Sequence, residues 1–210
     1  MDPEEFYTYA MRAADEGGRL PLSRMTAWAV FPFEQASLRV VPLERPELPE
    51  PPRGGEGGRA CGACAAEHAA AEHAAAEHAA VWSDEHWRLS VLRPSGVPLM
   101  LMLEPRQHYD LADLPDDLAA ELGVLTVRIG RAIESLPHIA RAHVSRWGDG
   151  GAHLHVFFFA RPAGFAQLRG TCMAIWDDLL PAQPDDQLDR DAAAVAQALT
   201  DSYGGVVSDG

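Results

Sequence analysis

The chain has 210 residues, 47% of them apolar and 23% charged, a composition that suits one hydrophobic core and excludes a wholly disordered or fibrous protein. With 31 acidic residues against 17 Lys and Arg, its formal charge is -14, which argues against a surface that tracks nucleic acid or an anionic membrane. No run approaches about 18 uninterrupted apolar residues, so no bilayer span is expected. The acidic start, Met1 to Tyr9, lacks the pattern of a secretory signal. Three cysteines, Cys61, Cys64 and Cys172, with the first two spaced C-G-A-C, fit a cytoplasmic chain with a metal or redox pair better than a disulfide scaffold.

In chain order, residues 3–16 predict a short helix, with Pro3 near its start and Gly17–Gly18 stopping it. Residues 26–31 and 37–43 are aromatic and β-branched, broken by Pro32, and predict two strands of an added hairpin. Residues 1–44 therefore read as an N-terminal extension of helix and strand. Residues 45–60 are dominated by Pro and Gly and read as a linker. A five-residue Ala/Glu/His repeat fills residues 65–80 and predicts a low-complexity helix. A step of five turns about 140° on a helix, so His68, His73 and His78 do not line up, while His68/Glu72 and His73/Glu77 are i,i+4 pairs.

A compact α+β unit follows. Strands are expected at 87–93, 97–103, 139–147 and 153–160, the second central because it is apolar throughout. Leu118, Leu122, Leu125, Ile129 and Ile133 recur at three and four, predicting a long helix over 113–136 that starts at Leu114-Pro115-Asp116-Asp117. The Gly148–Gly151 turn predicts that the last two strands form a hairpin. Residues 171–180 form an aromatic-bearing segment, 185–202 a terminal helix, and the last eight residues are expected to fray.

Cys61, Cys64, His108 and His153 have ligand chemistry near plausible strand ends. Two thiolates of a CxxC and two imidazoles suit a tetrahedral Zn²⁺, although a pair of free or redox thiols and a solvated turn histidine read the same residues otherwise. His153 and His155 form H-L-H, which on a strand puts both on one face, continued by Phe157 and Phe159. One histidine can ligate or orient while the other attacks, provided that the attacker's second nitrogen donates a hydrogen bond. The glycine turn could offer N–H groups to phosphate oxygens, and Arg106, Arg146, Arg161 and Arg169 are candidate phosphate or carboxylate partners.

These motifs resemble the histidine-triad (HIT) superfamily, which includes galactose-1-phosphate uridylyltransferase, over roughly Cys61 to Gly164. The matching pieces are Cys61-Gly-Ala-Cys64, Trp82-Ser-Asp-Glu-His86, Pro105-Arg106-Gln107-His108, the stretch His108 to Pro115 before a long helix, and His153-Leu-His155-Val-Phe157 through Arg161-Pro-Ala-Gly164. The resemblance implies an α+β, HIT-like antiparallel sheet with a long packed helix at residues 61–170, including the 65–80 insert. Residues 171–210 are then a C-terminal extension with a helix. It implies structural zinc on Cys61, Cys64, His108 and His153, and His155 as the nucleophile that forms a nucleotidyl-histidine. Arg106, Arg146, Gly150, Gly151, Phe157 and Arg161 are the expected substrate-binding positions. The partner is a small phosphate-containing molecule such as a nucleotide, and a homodimer is the family's default.

The sequence also departs from the family pattern. Phe157 replaces the third polar residue of the triad, Leu99-Met100 stands where glycine-histidine is expected, and Leu92-Arg93-Pro94 lacks the acid that meets a ribose. Arg146 to Ala152 likewise lacks the usual Asn-x-Gly. Two functions follow as expectations: a zinc-stabilised nucleotide hydrolase or nucleotidyltransferase, or a catalytically altered module that binds a phosphate-bearing or flat aromatic ligand. A redox CxxC is a third reading, disfavoured because no βαβ pattern precedes it.

Overall fold

The computed structural model describes residues 2–71 and 80–208. The helix repeat positions Glu72, His73, Glu77 and His78 lie outside the described residues. The chain divides into two compact units, Met1–Pro51 and Pro52–Gly210.

In the first unit, α1 spans Pro3–Met11, and Asp2 caps it in a reciprocal box with Glu5: the Glu5 N–H donates to Asp2 Oδ1 at 2.8 Å and the Asp2 N–H to Glu5 Oε2 at 2.9 Å. The two strand-like stretches do not form strands. Single 3₁₀ turns at Arg24–Ala27 and Gln35–Ser37 interrupt them instead. Ser23 and Glu34 start these turns, and Ser23 Oγ accepts the Met25 N–H at 3.2 Å. Local side-chain bonding thus competes with the ladder that β propensity alone suggests.

The second unit is built on β1 (Ala80–Ser83), β2 (Trp87–Val91), β3 (Met100–Pro105), β4 (Ile139–Ser145), β5 (Val156–Pro162) and β6 (Val206–Val207). All pairings are antiparallel, in the order β4-β5-β3-β2-β1-β6. The helices are α2 (Gly62–Ala71), α3 (Asp116–Glu134), α4 (Met173–Leu179) and α5 (Asp185–Tyr203). The expected last helix and long helix are therefore present, the latter three residues shorter at its start because Pro115 takes the N-cap position. The aromatic segment 171–180 is helix α4 after a 3₁₀ turn. The chain end does not wholly fray: Val206 and Val207 pair with Ser83 and Trp82. Among the described residues, no helix is long and apolar enough to cross a membrane.

Strand alternation gives the sheet two faces. One carries Leu89, Leu101, Leu103, Phe158 and Ala160, all buried against Leu125, Ile129 and Ile133 of α3 and Leu188, Val195 and Leu199 of α5. The other carries Arg88, Glu104, Met100, Met102, Phe157 and Phe159, with Phe159 packed among Val97 and Met173. Because both faces are covered at its centre, β2 is buried at every position, which explains why the central strands do not alternate apolar with polar.

Candidate metal centre and histidine pocket

The four ligand candidates converge. Their ligand atoms all lie within 4.8 Å of one another. Cys61 Sγ is 3.5 Å from His153 Nδ1, and Cys64 Sγ is 3.4 Å from His108 Nδ1 and 3.6 Å from His153 Nδ1. A tetrahedral zinc with bonds of about 2.3 Å to sulfur and about 2.0 Å to nitrogen sets sulfur and nitrogen about 3.5 Å apart. The donor set and its spacing therefore fit zinc. The His153 Nε2–H donates to the Pro105 carbonyl at 2.7 Å, which fixes the tautomer that leaves Nδ1 as the ligand atom. Burial holds His153 below the usual histidine range. Burial, together with the Cys61 thiol beside it, pushes Cys64 up to about 11 in the metal-free chain.

Three pieces of local structure set this geometry. Cys61 and Cys64 sit at the start of α2, where the Cys64 N–H points at Cys61 Sγ at 3.5 Å. His108 follows β3. His153 lies just ahead of β5, not within a strand as its alternation suggests, because the Leu154 N–H is taken by the Tyr109 carbonyl at 2.7 Å. That bond ties the His108 segment to the His153 segment.

The segment read as a linker is packed from Pro52 onward. Gly54 forms a parallel bridge with Gly151: its N–H donates to the Gly150 carbonyl at 3.2 Å and its carbonyl accepts the Ala152 N–H at 2.9 Å. Arg53 donates to the Gly148 carbonyl at 2.7 Å and to Asp110 at 2.8 Å, and also holds Glu56. Gly55 has a φ of +92°, and a Cβ there would stand 2.7 Å from His108 Cε1, so only glycine lets the strap cross that ring. The strap misled the composition reading because R-G-G-E-G-G resembles a flexible tether. The signal available in the sequence was its placement immediately before the CxxC.

His155 is half-buried beside the metal cluster. Its Nδ1–H donates to the His153 carbonyl at 2.8 Å, leaving Nε2 with its lone pair. It lines a cavity of about 280 Å³ with Gly54, Gly150, Gly151, Met102 and Phe157. Gly150, Gly151 and Phe157 thus line the same cavity as His155. The Phe157 ring lies edge-on to His155 at 5.2 Å.

The predicted arginines are placed elsewhere. Arg106 donates to Glu67 at 2.7 Å and to the Asp84 carbonyl at 3.1 Å. Arg146 pairs with Asp110 at 2.7 Å. Arg161 stands opposite Arg141 toward the other end of β5 and donates to the Phe165 carbonyl. None of the three is among the residues that line the cavity, and each is engaged by carboxylate or carbonyl partners.

Two charged residues escaped the sequence reading. Arg88 and Glu104 face each other across β2 and β3, both buried, with a 2.8 Å contact. Arg88 also donates to the Ala63 carbonyl at 3.2 Å, anchoring the cysteine-bearing helix to the sheet. Arg88→Met leaves Glu104 buried and unpaired. It is expected to lower the unfolding free energy by about 3–5 kcal/mol, read from urea midpoints. Adding Glu104→Leu should return most of that loss, and an equal loss in the double variant would contradict the pairing argument.

No protein-family model matches the chain, and no curated protein matches it either. Solved structures do. A hypothetical histidine triad nucleotide-binding protein from Sulfolobus tokodaii aligns with a TM-score of 0.50 at 13% identity, covering 70% of this chain and 100% of that one. A histidine triad protein from Bradyrhizobium japonicum aligns at 0.48 and 19% identity, covering 58% and 90%. A Zn-bound histidine triad family protein from Mycobacterium smegmatis aligns at 0.47 and 19%, covering 66% and 94%. The likeness to the Sulfolobus structure shows that the antiparallel sheet backed by α3 has the histidine-triad fold.

Proposed function

We propose that the chain is a zinc-stabilised nucleotide hydrolase or nucleotidyltransferase that works through a covalent adduct on His155 Nε2. The observation that carries this reading is the His155 Nδ1–H donated to the His153 carbonyl at 2.8 Å. It fixes the tautomer in which the nitrogen free to attack is Nε2, on a side chain that lines the cavity. In the first step the Nε2 lone pair forms an N–P bond while the bond from phosphorus to the leaving group breaks. The electron pair departs with the leaving group, which takes a proton from solvent. In the second step water, or an acceptor hydroxyl in a transferase, attacks phosphorus and releases its proton to solvent, the N–P bond breaks, and its electrons return to Nε2.

Zinc, when bound, supplies a fixed cross-link, because four protein ligands leave no open position for a reacting water. The chain's own residues do the rest. His153 holds His155 through its carbonyl, and the glycine loop, clamped by Gly54, forms a wall of the pocket. The exposed Val124 and Val127 of α3 and Val144 of β4 offer an apolar face for a homodimer, which sedimentation would detect.

A second reading, a binding module without turnover, is favoured by Phe157. A ring packed on His155 cannot donate to a developing phosphoryl charge, and loss of one such donor typically costs about 3–4 kcal/mol. Intact-mass measurement of the zinc-loaded chain with nucleotide phosphoramidates, dinucleoside polyphosphates and nucleotide sugars separates the two. A gain of one nucleotidyl group on His155 supports the enzyme. Ligand binding with no adduct and no product from any of them supports the module.

A further inference from the structure

The pocket beside His155 is walled by two different chemistries. On one side stand the backbone of Gly54, Gly150 and Gly151 and the start of α2 at Gly62 and Ala63. On the other stand Met102 and Phe157, paired across β3 and β5. Trp147 stands outside the cavity lining and packs on the Phe157 side of this second wall. Its ring lies 5.4 Å from Phe157 and 6.1 Å from Phe159, and 48% of the residue remains exposed. A core-filling tryptophan would be covered; this one is half-exposed and packs on the rings of Phe157 and Phe159.

Charge is equally one-sided. Among the described residues no Lys or Arg lines the cavity, and the one carboxylate there, Glu104, is already paired with Arg88. Of the arginines near the lining residues in sequence, Arg53 is engaged by Glu56 and Asp110, Arg106 by Glu67 and Arg146 by Asp110. Among the described residues, the chain, with a formal charge of -14, thus sets no arginine cation in the lining of this cavity. Each further phosphate on a ligand adds negative charge that would need one.

Resting on the proposed His155 chemistry, we infer that the site selects a single phosphoryl centre of one negative charge bearing a flat aromatic substituent seated against Phe157 and Trp147, and discriminates against polyphosphates. The group that replaces the third polar triad residue thus determines specificity. Phe157 stacks the substituent at a place where a hydrogen bond is impossible, and Trp147 covers its outer face.

The test is an NMR titration of the zinc-loaded full chain with three probes: monomethyl phenylphosphonate, monomethyl methylphosphonate and inorganic tripolyphosphate. The first two carry the same charge and differ only in the ring. The phenyl probe is expected to bind about tenfold more tightly than the methyl probe, the size of a well-stacked aromatic contact. Tripolyphosphate should bind no more tightly than the methyl probe. In Trp147→Ala the phenyl preference should fall to about twofold or less, and Trp147→Tyr should restore most of it. Trp147 is half-exposed, so neither change threatens folding. A preference unchanged in Trp147→Ala, tightest binding by tripolyphosphate, or no measurable binding of the phenyl probe each overturns the inference. If the phenyl preference holds and no adduct forms on His155 with any substrate, the covalent reading falls and this one stands. If adducts form with no phenyl preference, this one falls alone.

Discussion

His155→Ala is expected to abolish adduct formation and to lower turnover of a competent substrate by about 10⁴-fold or more, the scale seen when a covalent nucleophile is removed. Zinc content and the unfolding midpoint should stay close to those of the parent chain. The reason is geometric. His155 is half-buried, its bond is to a carbonyl, and it contributes no ligand atom to the metal cluster. His155→Asn is a useful companion, because it keeps a donor near the His153 carbonyl and still removes the attacking nitrogen. Rapid-quench mass measurement gives the adduct, and steady-state assays give turnover. Full turnover in either variant would end the covalent mechanism, and loss of zinc from both would show that His155 supports the metal centre instead.

Removing the metal should have the largest effect on stability. Structural zinc binds small domains with apparent free energies of about 10–16 kcal/mol at neutral pH, and that binding is coupled to folding. Here the sheet, α3 and α5 bury a core of their own, so chelation should not unfold the whole chain. It should release the start of α2, the strap and the His108 turn, which meet at the four ligands. We expect the thermal midpoint to fall by about 10 °C or more on chelation, on the scale of about 2–4 °C per kcal/mol for a chain of this size. His153→Ala should do the same and reduce bound zinc well below one per chain. Elemental analysis with thermal unfolding checks both. A midpoint unmoved by chelation, in a chain shown to have lost its metal, would mean that the cluster does not cross-link these segments.

The sequence made the site more legible than the architecture around it. The CxxC, the histidine after β3 and the H-L-H are chemically conspicuous, and their ligand atoms meet as the residue types suggest. The long helix was legible from Leu118, Leu125 and Ile129 because a one-sided helix repeats every three or four residues. The first unit was not, because aromatic and β-branched residues favour strands only when a neighbouring strand is there to pair with them. Gly54 and Gly55 were invisible for the opposite reason. Composition marks glycine as flexible, whereas a positive φ over the His108 ring uses the same residue to fix a close crossing. The partners of the arginines were not legible, because a side chain's charge can be read from sequence and its partner cannot. Glu67 and Asp110, which engage Arg106 and Arg146, come from distant parts of the chain.

The strap also bears on the order in which the molecule assembles. The contact between Arg53 and the Gly148 carbonyl joins residues 95 positions apart, and the Gly54 bridge to Gly151 is of the same range. Such contacts reward the chain only after a long loop has closed, whereas α3 and the β2–β3 pair are local. The site therefore forms last and opens first, as a unit whose free energy of opening lies below that of the whole domain. Amide exchange at Gly54 and Ala152 should then proceed together, faster than exchange in β3, and slow in step when zinc is supplied. Completion of the pocket, rather than of the fold, becomes the step that metal supply controls.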